Sequence, residues 1–382
     1  MPATEPLFVL SLVSSRRFGC VVLNYKTMKE TKIQWCHSTT NPVMGCKGCE
    51  LWPGLSYLLT SIEQGIGKGR CINSQQIPTV LRHVLADRKL SEIYRDREAI
   101  SASLAHSLKA GPATEKLIAD VIRSQAKCYA GLLGTMRSSH KGHAKCFEEP
   151  QQFPGRMEKA ASWAQPQLSE NKSKPWLIGM PRLIFISDMG DALSGGVPFT
   201  YLRDEIIANV SAPEGGRHVW LWLTKRPARM ARFGTWLQES GVCWPDNLVA
   251  MTTITGPATL HRICDLLRVP AKCRGLSLEP LFAPVSLCLD KIDWVIVGGG
   301  SDALAEPFHL EWASQIIAQC KRAKVACFVK QLGRNPYRKS KRLKLCNEHG
   351  GDWNEWPDEL RVRQMPEAFK KLTQGIAARW RS

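Results

Sequence analysis

What the chain lacks bounds it first. No apolar run reaches the ~18 residues needed to cross a bilayer, so no membrane partner is expected. Near the start, Leu7-Phe8-Val9-Leu10-Ser11-Leu12-Val13 is short. Its basic residues, Arg16 and Arg17, follow it instead of preceding it, which makes a poor signal peptide. There is no phosphate-cradling Walker loop, and Gly298-Gly299-Gly300 lacks the spacing of a dinucleotide fingerprint. No serine–histidine–acid arrangement stands out. Acidic residues are scarce: 34 Asp and Glu face 52 Lys and Arg, a net charge of +18. Such an imbalance points to a polyanionic partner, with nucleic acid the first candidate.

What is present is a chain of 382 residues, 44% hydrophobic, enough for one large α/β domain with insertions or for two domains. From residue 182 on, short apolar runs recur at 182–187, 218–224, 248–252, 275–279, 294–298 and 326–330. Runs apolar on both faces suit strands of a buried parallel sheet. Helical stretches alternate with them at Phe199–Val210, Pro227–Glu239, Thr259–Leu267 and Leu310–Ala323. With a further strand at Ile33-Gln34-Trp35, the pattern predicts a partial or complete parallel βα barrel, a doubly wound open sheet being the alternative. The barrel is expected over residues 28–53 and 128–333.

Residues 54–127 interrupt the pattern and read as a helical insertion, with helices over Thr79–Asp87 and Ala113–Ala126. Residues 137–178 read as a loop-rich connection. Residues 1–27 read as a weakly ordered extension or a mis-called start, in which case the chain would begin at Met28. Residues 334–382 form a basic, tryptophan-containing region. Within it Arg334, Arg338, Lys339, Lys341, Arg342 and Lys344, beside Tyr337, Trp353 and Trp356, suit phosphate contacts and base stacking.

Polar residues follow the strands: Ser187-Asp188-Met189-Gly190-Asp191, Thr224-Lys225-Arg226, Glu279-Pro280, Gly298-Gly299-Gly300 and Lys330-Gln331. The C-terminal strand ends of parallel α/β folds carry the active site. Of 14 cysteines, Cys243, Cys264, Cys273, Cys288, Cys320 and Cys327 lie in or beside apolar segments, as single buried thiols do. That usage fits a reducing cytoplasm. Cys46 and Cys49, each preceded by a glycine, present two thiols on one tight loop, a geometry suited to a metal or an iron–sulfur cluster. Cys128 could supply a third ligand. For zinc, Cys71 or His37 could close a tetrahedron with these three.

The segments Trp35, Asn41-Pro42-Val43-Met44-Gly45-Cys46, Cys128-Tyr129-Ala130, Gly155-Arg156-Met157, Phe185–Asp191, Leu223–Pro227, Leu278-Glu279-Pro280, Trp294–Gly299, Phe328–Gln331 and Gly351–Pro357 carry a resemblance. Together they resemble a phage-associated, radical-SAM-like family of largely unassigned function with a three-cysteine motif. In that family the three cysteines share one compact loop. Here the insertion separates them, so either Cys128 returns to the pair or Cys71 completes it.

The resemblance implies a [4Fe–4S] cluster on Cys46, Cys49 and Cys128. It implies S-adenosylmethionine bound near Gly298, Gly299, Gly300, Ser187, Asp188 and Glu279. Asp188, Lys225, Glu279 and Lys330 are the candidates for catalysis, with Gln331 beside them. The activity expected is S-adenosylmethionine cleavage and hydrogen abstraction, served by an electron donor, on nucleic acid or a nucleotide-derived substrate in base modification or repair. Two alternatives stand. One is a zinc-stabilised nucleic-acid-binding protein without catalysis. The other is a divalent-metal hydrolase using Asp188, Asp191 and Glu279.

Overall fold

The computed structural model describes residues 30–67, 75–302 and 304–372. The expectations for residues 1–27, for Cys71 and for the end of the basic region lie outside these. Seven strands form one sheet: β1 (Ser38–Thr40), β2 (Leu183–Ile186), β3 (Val219–Thr224), β4 (Leu248–Thr253), β5 (Arg274–Leu278), β6 (Trp294–Gly298) and β7 (Ala326–Gln331). All pairings are parallel, and each strand lies beside the next one in this order. A doubly wound sheet would reverse its strand order part-way. Here the sheet curls in one direction into a half-barrel, and β1 and β7 remain its edges.

Alternate side chains of each strand build two cores. Ile184, Ile186, Trp220, Trp222, Leu276 and Val297 pack under helices Pro227–Glu239, His261–Leu267 and Leu310–Ala323. Leu183, Phe185, Val219, Leu221, Trp294 and Ile296 face the other way. Trp35 fills that second face, 4.7 Å from the Phe185 ring and 6.0 Å from the Trp294 ring. Ile33-Gln34-Trp35 is therefore a plug and not a strand, and β1 starts three residues later. Of the six cysteines read as buried, Cys273, Cys320 and Cys327 are, whereas Cys243, Cys264 and Cys288 are exposed.

His218, just before β3, is fully buried. Its Nε2 lies 3.0 Å from the Ala161 carbonyl and its Nδ1 3.4 Å from Gln165 Nε2. A neutral ring can donate at the first and accept at the second. Burial, aided by Arg217 and Arg182, depresses its pKa from 6.5 to about 4 against the opposing pull of the Ala161 carbonyl. The unfolded chain thus binds one more proton between pH 6.5 and 4, so this contribution is complete above pH 6.5 and is lost as pH falls toward 4. Roughly 3 kcal/mol of stability is expected to go across that window. Urea denaturation at pH 7 and pH 4 measures it, and His218→Gln should flatten the dependence.

Helices α1 (Leu55–Gly67), α2 (Ile77–Leu85), α3 (Leu90–Arg95), α4 (Arg97–Ser107), α5 (Pro112–Gln125) and α6 (Tyr129–Met136) follow the first cysteine pair. Leu58, Ile62 and Ile66 recur every four residues, as do Ile118 and Ile122, and give the insertion its own core. Prolines near the starts of α2 and α5 suit the first turn, where the missing N–H costs nothing. The connection over 137–178 is mostly loop. It also contains Gln151–Gln152, paired with Val43–Met44, and a helix over Arg156–Ala161.

Beyond β7, Pro336–Arg338 and Lys341–Arg342 form a hairpin. Of the two tryptophans expected to stack on bases, Trp356 is buried and Trp353 is half-buried. The Arg363 guanidinium lies 4.1 Å from the Trp176 ring and 5.1 Å from each of these two. Cation and indoles satisfy one another there. Among the described residues no helix is long and apolar enough to cross a membrane.

Candidate functional site

After β1 the chain turns across the C-terminal rim and is held there backbone to backbone. The Gly45 N–H donates to the Met189 carbonyl at 3.2 Å, and the Asp191 N–H to the Gly45 carbonyl at 3.2 Å. A Cβ on Gly190 would stand 2.5 Å from Gly45 O and 2.7 Å from Gly45 N. That explains a glycine in the strand-end motif: any side chain would part the two backbones. Asn41 locks the same junction, accepting from the Met189 N–H at 2.9 Å and donating to Asp188. The Gly155-Arg156-Met157 motif supports it from behind. Arg156 donates to the Asn41 carbonyl at 2.9 Å, while Glu205 accepts the N–H groups of Gly155 and Met157.

The cysteine loop has two further tethers. Arg262 grips Glu50 with two bonds of 2.9 and 2.7 Å. Burial alone would raise the Glu50 carboxyl; the guanidinium overrides that and holds it below its ordinary value. Arg226 donates to the Gly48 carbonyl at 2.7 Å, and the same nitrogen lies 3.5 Å from Cys46 Sγ.

Cys128 returns to this loop; Cys71, the alternative third ligand, lies outside the described residues. The Lys127 N–H donates to the Leu51 carbonyl at 3.1 Å, which sets Cys128 beside the turn that carries Cys49. One turn into α6, Gly131 lies on the Trp52 indole, where a Cβ would come within 2.4 Å of the ring. Cys46, Cys128 and Trp52 share one apolar cluster.

The thiols feel one another. Burial pushes the Cys49 thiol up to about 12, with Cys128 and Glu50 adding to the rise and Lys225 opposing it. Burial also raises Cys128; Cys46 adds to this, while Lys225 and the N–H groups of Gly131 and Ala130 oppose it. Burial works against the charge on Lys225, yet Cys49, Cys128, Glu50 and Asp191 hold it above the usual lysine value. Arg226 is raised in the same way, by Cys46 first. Two cations thus face three thiols and oppose, without overcoming, the rise that burial imposes on Cys49 and Cys128. The donor chemistry fits a thiolate-bound centre. The sulfurs are not drawn into ligating geometry, for among the described residues no three His, Cys, Asp or Glu side chains are placed to hold a metal together.

The other candidates are brought to the same rim but engaged separately. Asp191 is buried, accepting from the Thr224 hydroxyl at 2.8 and 2.9 Å, the Leu193 N–H at 2.9 Å and the Lys225 N–H at 3.1 Å. It knits the β2 loop to the end of β3. Glu279 is ion-paired with Lys330 and accepts from Gln331 Nε2 at 3.2 Å. Asp188 accepts from Asn41 Nδ2, so these contacts of Asp188, Asp191 and Glu279 run to different neighbours. His37 sits at the opposite end of β1, its Nδ1 accepting the Leu183 N–H at 2.9 Å, away from the thiols. Ser187 holds φ +71°, a left-handed backbone that is strained for a residue with a Cβ. Gly298 and Gly299 allow the chain to approach itself: a Cβ on Gly299 would lie 2.6 Å from Leu332 O and 2.8 Å from the Phe308 Cβ, and one on Gly298 3.0 Å from Gln331 O. Gly300 would meet Ala305 at 3.2 Å. Sequence reasoning gave no role to Asn41, Glu50, Gly131 and Arg262, which anchor the cysteine loop and the start of α6. A helical arginine such as Arg262 has no local signal for reaching a loop more than two hundred residues earlier.

Fold and rim define a parallel α/β half-barrel protein with a thiol cluster at its C-terminal edge. The chain belongs to the DUF5131 family, described as a protein of unknown function, which matches residues 120–359. That span takes in Cys128 and strands β2 to β7 but not Cys46, Cys49 or helices α1 to α4. No curated protein and no solved structure matches the chain.

Proposed function

We propose that this protein is a radical-SAM-like iron–sulfur enzyme of the reducing cytoplasm, acting on nucleic acid or a nucleotide-derived substrate in base modification or repair. The observation that supports this most is the return of Cys128 to Cys46 and Cys49 beside Lys225 and Arg226. Three thiolates would hold a [4Fe–4S] cluster and leave one iron open. Bound there with S-adenosylmethionine and an electron donor, it supplies one-electron cleavage and hydrogen abstraction.

The chain's own residues do the rest. Lys225 and Arg226 offset the thiolates' negative charge. The Asn41, Glu50 and Gly190 contacts fix the loop so that little ordering remains to be done on loading. Asp188, Ser187, Glu279, Lys330, Gln331 and the 298–300 turn supply polar groups for S-adenosylmethionine or substrate along the same rim. The net charge of +18 favours an anionic substrate.

Loading the protein with iron and sulfide under argon tests this. About four irons and four sulfides per chain, bound by these three thiols, are expected. Stoichiometric zinc without sulfide overturns it in favour of a structural metal.

A further inference from the structure

The hairpin beyond β7 has features that packing does not require. Arg338 pairs with Lys341 across it, so its loop is only Lys339 and Ser340. Both are left-handed, with φ +46° and +64°. Two-residue turns of this kind favour Asn-Gly, because a Cβ is strained at either position. Here they carry a lysine and a serine. The turn is nonetheless fixed: the Lys339 N–H donates to Glu311 Oε1 at 3.0 Å, and the Tyr337 ring lies 5.7 Å from the His309 ring.

The fixed tip displays charge. Arg338, Lys339, Lys341, Arg342 and Lys344 are exposed. Arg338 meets Glu359 at 2.9 Å, whereas the side-chain ammonium groups of Lys339, Lys341 and Lys344 form no salt bridge among the described residues. The base of the hairpin is joined to the rim. The Arg334 N–H donates to the Gly300 carbonyl at 2.8 Å, and a Cβ on Gly333 would stand 2.7 Å from that same oxygen. Asn335 donates to the Ala305 carbonyl at 3.2 Å. One residue further, Glu306 pairs with Lys127, which precedes Cys128. A rigid cationic finger and the thiols are therefore linked through a single glycine-rich turn.

We infer that this hairpin binds the phosphodiester backbone, so the substrate of the rim is a polynucleotide and not a free nucleotide. The inference rests on the reading above that the substrate is nucleic acid, and it commits that reading to a polymer. Several cations on two short paired strands engage successive phosphates, which a mononucleotide does not offer.

Fluorescence anisotropy of the full chain, with a labelled DNA duplex, the corresponding single strand and labelled adenosine monophosphate, tests this across a salt series. Each phosphate-bound cation contributes about 0.9 to the slope of log K against log salt on duplex and about 0.7 on a single strand. K339Q/K341Q/K344Q should therefore flatten the slope by about 2.7 or about 2.1. K109Q/K116Q/K159Q, which removes three exposed cations elsewhere, should change it far less. Lys339→Asn with Ser340→Gly should raise the melting temperature by relieving the turn, and flatten the slope by only about 0.9. Equal effects of the two triple variants overturn the inference, as does mononucleotide binding as tight as that of the polymers. Running the series on metal-stripped and iron-loaded protein separates the two claims. A flattened slope without iron uptake sinks the cluster and keeps the finger; iron uptake with an unchanged slope does the reverse.

Discussion

Cys128→Ala is expected to bind at least about tenfold less iron than the unaltered chain when both are loaded with iron and sulfide under argon. Cys46 and Cys49 alone leave a cubane cluster with two unliganded irons. Cys128 is the residue whose thiol senses both members of the pair, through Cys46 on its own acidity and through its own effect on Cys49. Cys71→Ala and Cys273→Ala should load normally, the second because Cys273 is buried in the core behind β5. Iron and sulfide per chain after desalting give the answer. Full uptake by Cys128→Ala would assign the third ligand elsewhere.

Gly190→Ala is expected to destabilise the protein by about 3 kcal/mol, the upper end of the range for overpacking. The new methyl would meet Gly45 O at 2.5 Å, Gly45 N at 2.7 Å and Met44 C at 3.2 Å, all backbone atoms that no rotamer change can move. The cysteine loop must lift to make room. Two consequences follow together: a lower urea midpoint, and faster alkylation of Cys46 in the metal-free protein. Gly54→Ala is the control, because nothing lies within 4 Å of its Cβ position and the change should be nearly neutral. Equal midpoints for Gly190→Ala and the unaltered chain would mean that the two backbones are not in contact.

The sheet was legible because parallel strands buried on both faces leave uninterrupted apolar runs; six of the seven strands lie where such runs fall. Helices Pro227–Glu239 and Leu310–Ala323 keep their expected bounds because local chemistry marks them. Pro227 opens the first, and the second ends before Lys324 in the left-handed region. Ile33-Gln34-Trp35 misled because a plug and an edge strand look alike over three apolar-rich residues. Trp356 misled because a tryptophan near basic residues reads equally as a stacking platform or as a partner for one arginine; it is buried beside Arg363.

The site was legible in its residue types and not in its assembly. Cys46, Cys49, Cys128 and Lys225 stood out by residue type. What brings them together is contact over long sequence separation, as in Gly131 against Trp52 and Glu50 against Arg262. Such contacts leave no periodic trace.

The measurement closest to the central claim is differential thiol labelling. The protein is alkylated before and after iron and sulfide loading, and the labelled peptides are weighed. Joint protection of Cys46, Cys49 and Cys128 on loading is the expected result, with the exposed Cys243, Cys264, Cys288 and Cys346 reactive in both states. Protection of Cys46 and Cys49 while Cys128 reacts equally before and after loading would contradict it.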